Sequence, residues 1–427
     1  MIASLLFTRQ LTTNTVLKLA AELGGRAATF LLLLLAARRL TTAEFGSYNY
    51  ALALGFVLVQ LADFGLQLLL TREVARQALG ARPLVLAAFH LKLWLSLPVL
   101  ALLGLFSWQN GGQGLVIFLL GLTLLLQTFV EFVAYVFRGQ QRLWVEVQLL
   151  LWVRLGTAVF GALILWQTEN LLWLAAVSLL VMGTALLFAL HKLRRAGWIA
   201  HYAQLWPVGW PGTAVTKKVA QQAWPLGLSI FLSIAYTRLA ILLLAVWGEA
   251  DAVAHYSAAW RLVEPTQILP ASLLAAVFPA FSLALTQNRR RAGQLGRQTS
   301  LLLALAGGAV AGIFWLAAPW LVDWLYGADF AASAPVLQIL GLTVLPVYIN
   351  YSLTHYLVAR GQQQTLTGLT AVTLLLHAFF CWLLIPRLGL IGPALSVLLA
   401  ESVLLLGCLW FLRRPVSLEK AGLETAV

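Results

Sequence analysis

Lys18, Glu22 and Arg26 stand at four-residue spacing inside the apolar stretch Thr12 to Ala36, where a helix would stack all three on one face. Leu17, Leu19, Leu23 and the run Leu31 to Leu35 cover the rest of that helix. A charge near the centre of a bilayer costs about 2.5 to 3.5 kcal/mol on the insertion scale, so three on one helix need a polar place to point. Two readings stand. The three charges are either an internal relay that fastens the helix to its neighbours, or one wall of a water-filled cationic cavity, since the stripe keeps a net positive charge. Further cations fall within apolar stretches at Lys92, Arg154, Arg238 and Arg261, and anions at Asp63, Glu131, Glu264 and Glu401, with Glu146 nearer an end. Surplus Lys and Arg suit a phosphate or diphosphate, because Arg presents a planar fork of donors and Lys a mobile point charge. From the residues alone the ligand is an anionic amphiphile or polyanion. The binding candidates are Lys18, Arg26, Arg238, Arg261, Lys92 and Arg154; Glu22, Asp63, Glu131 and Glu264 are candidate polar or coupling groups.

Other groupings carry less chemistry. Arg261 and Glu264, three apart, can simply pair on one helix. Asp63-Phe64-Gly65 spells a kinase tripeptide without a glycine-rich loop or catalytic loop around it, so Asp63 with Gln60 and Gln67 reads as a helix-helix contact or a ligand. Gln127, Glu131 and Tyr135 form a similar stripe, for which cavity and packing both remain open. His377 and Cys381 are four apart but have no carboxylate nearby, which argues against a metal site. With only Cys381 and Cys408 present, neither a disulfide framework nor a multi-cysteine centre is available, and no cofactor is expected.

Composition makes the helices that carry these charges membrane helices. Of 427 residues 61% are hydrophobic and only 10% charged, far more apolar than a soluble domain. Net charge +13 follows the distribution of cationic loops in a membrane protein and does not require nucleic acid as a partner. The short start MIASLLFTRQ lacks the features of a removable signal peptide. Twelve spans are expected near 13–37, 44–69, 83–107, 114–137, 145–167, 170–191, 222–247, 253–283, 299–324, 332–358, 364–385 and 390–412. Pro265, Pro270 and Pro279 predict a kinked eighth span. Loops after the even spans carry Arg72, Arg76, Arg82, Arg138, Arg142, Lys192, Arg194, Arg195, Lys217, Lys218, Arg289, Arg290, Arg291, Arg297 and Arg360. Those after the odd spans hold Glu44, Glu169, Glu249, Asp251, Asp323 and Asp329, with Arg38, Arg39 and Arg387 as their cations. The positive-inside rule then puts both termini in the cytoplasm, in agreement with Arg413, Arg414 and Lys420; Arg38 and Arg39 are the exception.

The longest loop, His191 to Gln221, separates two groups of six spans, and Trp198, Trp206 and Trp210 beside Pro207 and Pro211 suggest a segment at the membrane interface. Arg138-Gly139-Gln140-Gln141 ends span four and Arg360-Gly361-Gln362-Gln363 ends span ten, its counterpart. A weaker echo links Glu44 to Tyr50-Ala51 with Asp251 to Tyr256. The expected organisation is therefore an N-terminal six-helix bundle over 1–191, an interfacial linker over 192–221, a C-terminal six-helix bundle over 222–413 and a cytoplasmic tail over 414–427. Two like halves of this kind build an alternating-access carrier with its site where the halves meet.

Thr42-Ala43-Glu44-Phe45-Gly46-Ser47-Tyr48, Leu61-Ala62-Asp63-Phe64-Gly65-Leu66 and Thr71-Arg72-Glu73-Val74-Ala75-Arg76 resemble the opening of bacterial oligosaccharide flippases. That O-antigen and polysaccharide flippase family belongs to the multidrug/oligosaccharidyl-lipid/polysaccharide exporter superfamily. The likeness continues through Phe137-Arg138-Gly139, Pro225-Leu226-Gly227-Leu228-Ser229 and Tyr256-Ser257-Ala258-Ala259-Trp260-Arg261. It ends with Leu325-Tyr326-Gly327-Ala328-Asp329-Phe330 and Ile385-Pro386-Arg387-Leu388-Gly389-Leu390-Ile391-Gly392. Two departures stand out: Ala240 where the family usually has Asp, and His377 and Cys381 where it often has two Asn. The resemblance implies an all-α, V-shaped alternating-access transporter in the inner membrane that moves an undecaprenyl-diphosphate-linked glycan, with polysaccharide polymerase and other assembly proteins as candidate partners. Alternative readings are a cation-coupled multidrug exporter of the same superfamily, which would want carboxylates to dominate the cavity, and an integral-membrane glycosyltransferase or ligase, which needs a larger outer loop than any found.

Overall fold

The computed structural model describes residues 2–205, 214–248 and 250–413. Glu249, the segment with Trp206, Pro207, Trp210 and Pro211, and the tail with Arg414 and Lys420 lie outside these residues. Among the described residues every regular element is helical: α1 Ile2–Arg39, α2 Thr42–Asp63, α3 Leu66–Gln77, α4 Arg82–Gln109, α5 Gly114–Gly139, α6 Leu143–Thr168, α7 Leu171–Arg195, α8 Ala214–Trp247, α9 Ala250–Val263, α10 Ile268–Gln287, α11 Arg289–Tyr326, α12 Ser333–Ala359, α13 Gln363–Leu388 and α14 Gly392–Arg413. In hydrocarbon, helices satisfy their own backbone polar groups, which is why so apolar a chain resolves into them. Among the described residues eleven stretches are long and apolar enough to cross a membrane, and the last, Gln363–Arg413, contains both α13 and α14, so the twelve expected spans are accounted for.

The chain divides into two units, Met1–Arg238 and Leu239–Val427, with the division inside α8. In the first unit α5 is the central helix, packed by α2, α3, α4, α6 and α7, while α1 lies along α6. In the second unit α12 takes that place, packed by α9, α10, α11, α13 and α14. These two helices are spans four and ten, the pair whose ends share the Arg-Gly-Gln-Gln sequence. The turns after them are also alike, but in a different register from the sequence match. After α5 the Arg142 amide donates to the Phe137 carbonyl and the Gln141 amide to Arg138; after α12 the Gln362 amide donates to Leu357 and the Gly361 amide to Val358. Both are Schellman turns, with Gln141 (φ 61°) and Gly361 (φ 76°) at the left-handed position. Gly139 is instead inside α5, where a Cβ would meet the Val74 side chain at 2.7 Å, so its job is close packing of α3.

Spans two and eight, again counterparts, are both broken. Expected as one helix over 44–69, span two stops at Asp63, turns through Phe64 (φ 23°) and Gly65 (φ 80°), and restarts as α3. The cause is tertiary: Gly65 abuts the backbone of Ala223 and Gly227 on α8, and no continuous helix with side chains fits there. Span eight breaks at the 3-10 turn Glu264–Gln267, where Pro265 lacks the amide that would continue the ladder. Tyr348 of α12 donates its hydroxyl to the Thr266 carbonyl of that turn at 2.6 Å.

Loop residues also acquire definite roles. Thr41 and Glu44 cap α2 reciprocally, Asn170 caps α7 and Asn288 caps α11. Arg39, the cation out of place by the loop-charge rule, pairs with Glu169 at 2.6 Å and lies over the Trp166 ring at 4.5 Å. Trp198 follows the turn at Gly197 (φ 78°) and is 1% exposed, its ring packed within the protein.

Candidate functional site

The charged stripe of α1 points at α6. Lys18 Nζ lies 2.9 Å from Glu146, which also receives Arg138 through Nε at 3.0 Å and through Nη2. One turn along α1, Glu22 faces Arg154, whose Nη1 reaches the carboxylate at 3.0 Å and the Glu22 carbonyl at 3.2 Å. The close approach depends on Gly25, where a Cβ would collide with the Arg154 side chain at 2.6 Å. Arg26 is 3.7 Å from Glu22 and leaves 59% of its side chain exposed. The ion pairs of the stripe run both within α1 and across to α6. Four cations, Lys18, Arg26, Arg138 and Arg154, share two carboxylates across α1, α5 and α6, and a net positive charge remains on a partly exposed surface.

The other candidates fall in three places. Arg238 lies over the Phe56 ring at 5.0 Å, on the first unit. Lys92 is sealed, at 0% side-chain exposure, against Asp63 at 2.6 Å and over Phe129 at 5.3 Å, so it has no surface to offer a ligand. Glu131 accepts from Gln127 Nε2 at 2.8 Å. On the second unit Arg261 is 3.5 Å from Glu264, and the pair ends α9 at the broken span. His377 and Cys381 converge on Ser396 of α14 at 2.8 and 3.2 Å, a buried polar knot. Among the described residues no three His, Cys, Asp or Glu side chains are grouped to hold a metal ion.

Two residues of the stripe were not candidates from the sequence. Glu146 and Arg138 are eight apart across a helix turn, so no helical period brings them together, and Tyr135, under Arg138 at 4.5 Å, joins only through them. The one legible signal was an acidic residue in the first turn of α6, where the helix dipole favours it.

The family profile described as "Polysaccharide biosynthesis protein" matches residues 11–285. The chain belongs to that family. A second profile, MatE, matches residues 225–383. A Shigella dysenteriae protein named "Putative O-antigen transporter" is 25% identical over 188 residues, 44% of this chain and 46% of the relative, so the match spans about half the length of that relative. Among solved structures, a MATE family multidrug transporter of the MOP superfamily in its inward-facing conformation aligns with TM-score 0.69 at 15% identity, over 90% of this chain and 93% of that one. The lipid II flippase MurJ, in an inward closed conformation, aligns with TM-score 0.70 at 13% identity, over 93% and 88%. At these identities the structures establish the fold. The polysaccharide biosynthesis family member is thus a multi-pass integral membrane protein with the fold of these two solved structures.

Proposed function

We propose that this protein is a flippase that carries an undecaprenyl-diphosphate-linked oligosaccharide, of the O-antigen type, from the cytoplasmic to the outer leaflet of the inner membrane by alternating access. The observation that carries the reading is the stripe in which Lys18, Arg26, Arg138 and Arg154 share Glu22 and Glu146, leaving cationic donors for a diphosphate. Arg26, exposed and loosely paired, is the leading contact, supported by Lys18, Arg154 and Arg238; Arg261 is the candidate on the second unit. With the cytoplasm negative, moving one negative charge outward is downhill by about 2.3 kcal/mol per 100 mV, so the potential itself would favour export of a diphosphate. Family membership and the partial likeness to the Shigella protein favour this cargo. We also propose two six-helix bundles and cytoplasmic termini. Surface polysaccharide in a flippase-deficient strain, with membrane levels checked, tests the function: the Lys18, Arg26, Arg238 and Arg261 alanine variants should abolish export, and near-normal export by all four would sink the reading. Impermeant thiol labelling tests the topology. Gly112→Cys, at an exposed turn with open space around its Cβ, should react from outside, and Ser417→Cys, outside the described residues, should not.

A further inference from the structure

We propose that the face of the α6–α7 pair turned away from α1, at the end where α6 begins and α7 finishes, binds an anionic glycerophospholipid. Lys192, in the last turn of α7, holds its ammonium 4.8 Å from the centre of the Trp144 ring on α6 and 4.9 Å from that of Phe188, one turn back on α7. Trp152 stacks on Phe188 at 5.4 Å, nearly parallel at 16°, and its indole N–H donates to Thr184 Oγ1 at 3.3 Å, which fixes the ring. Trp144 and Trp152 are nonetheless about half exposed. Arg195, three residues beyond Lys192 and so on the same face of α7, is exposed. Among the described residues neither Lys192 nor Arg195 pairs with a carboxylate, whereas Lys18, Arg138 and Arg154 all do. The result is a cation held between aromatic rings, open to the membrane and unneutralised by the protein.

This surface is separate from the charged stripe. Trp144 and Trp152 each stand two residues before Glu146 and Arg154, about 200° round α6 from them, so the stripe faces α1 and the Lys192 pocket faces the other way. The occupant's chemistry follows from what the surface offers. Lys192 and Arg195 call for an anion, and the Trp144 indole N–H, which donates to none of the described residues, suits a phosphate or glycerol ester oxygen. Deeper in the membrane, exposed Leu180 and Leu187 of α7 and Leu155 of α6 call for hydrocarbon. Leu155 lies about 16 Å along the helix from Trp144, close to half of a roughly 30 Å core, which is the reach of an acyl chain in one leaflet. A free phosphate meets the first demand only. A choline head is a poorer occupant, because the aromatic faces that would receive its cation already hold Lys192. An anionic head on acyl chains meets both demands, with charge opposite to that of the pocket.

The lipid site does not rest on the flippase reading, and its test needs no transport. Native mass spectrometry of the full chain, released from dodecyl maltoside with equal amounts of phosphatidylglycerol and phosphatidylcholine, identifies bound lipid by its mass. The wild type should retain phosphatidylglycerol in preference. Lys192→Gln should weaken that binding about fivefold and Lys192→Gln/Arg195→Gln about twentyfold, the order expected for each basic side chain at a membrane surface. Lys192→Arg should keep most of it, because charge and ring contacts both survive. Arg26→Ala, which alters only the stripe, should bind as the wild type does. Phosphatidylglycerol should also raise the melting temperature of the wild type, less so in high salt, and should leave that of Lys192→Gln nearly unmoved. Reading each shift against the same variant without lipid separates a lost binding charge from a loosened α6–α7 contact. Equal affinity of wild type and Lys192→Gln for phosphatidylglycerol, or no preference over phosphatidylcholine, overturns the proposal. Loss of the preference in Arg26→Ala but not in Lys192→Gln places the lipid on the stripe and overturns it. An equal melting shift from inorganic phosphate alone gives the pocket to a free anion, and a lipid-free wild-type dimer abolished by Lys192→Gln gives it to a second copy of the chain; either result overturns the lipid assignment.

Discussion

Gly65 and Gly227 meet backbone to backbone: a Cβ on Gly65 would lie 2.5 Å from the Gly227 nitrogen, and a Cβ on Gly227 would lie 2.6 Å from the Phe64 carbonyl. The Phe64 and Trp224 rings flank the contact at 5.0 Å. This crossing holds the first part of α8 against the break in span two. Gly65→Ala should cost the overpacking of that crossing, about 1 to 3 kcal/mol, plus the left-handed penalty of about 1 to 2 kcal/mol. Gly227→Ala should cost the first part only. Thermal unfolding of the purified variants ranks them, and a Gly65→Ala protein as stable as the wild type would contradict the crossing.

The Asp63–Lys92 pair predicts a strong non-additivity. Removing either partner leaves a buried charge, which typically costs about 3 to 5 kcal/mol, whereas removing both leaves none. Asp63→Asn and Lys92→Met should each lower stability and membrane yield sharply, and the double variant should recover much of the loss. Additive losses would show that the two charges do not depend on each other.

Arg26 and Arg154 should separate function from architecture. Arg154 ties α6 to α1 through two contacts on Glu22, while Arg26 is mostly exposed. Arg154→Ala is expected to lower thermal stability as well as export; Arg26→Ala is expected to lose export at wild-type stability, and Arg26→Lys to keep part of it because charge survives without the fork. Equal stability losses in the two alanine variants would return Arg26 to a purely structural pair.

At the end of α5 the left-handed position is held by Gln141, where α12 uses Gly361. Gln141→Gly should therefore stabilise by about 1 kcal/mol, the cost of a side chain at that conformation. Gly139→Ala, despite lying in the same tetrapeptide, should destabilise by driving a methyl group into Val74 and Thr71. Melting curves that moved the other way would restore Gly139 as the turn residue.

The amino-acid sequence by itself determined the class of this molecule, the number of crossings and the family. Long uninterrupted apolar runs cross hydrocarbon as helices of a set length, and loops record their charge in order, so both are local properties. It also identified which charges lie in the membrane. Only the tertiary structure decided how they are spent. That Lys18 answers to Glu146 and not Glu22, that Lys92 is consumed by Asp63, and that Glu131 is left with an amide are relations between residues far apart in the chain. The broken second span had no proline to announce it, because its cause lies on α8, and the shared Arg-Gly-Gln-Gln sequence named the right two helices in the wrong register, because a turn is set by which carbonyls its amides reach. Spacing along one helix predicts neighbours on that helix; the partners that set a buried charge come from others, and packing alone selects them.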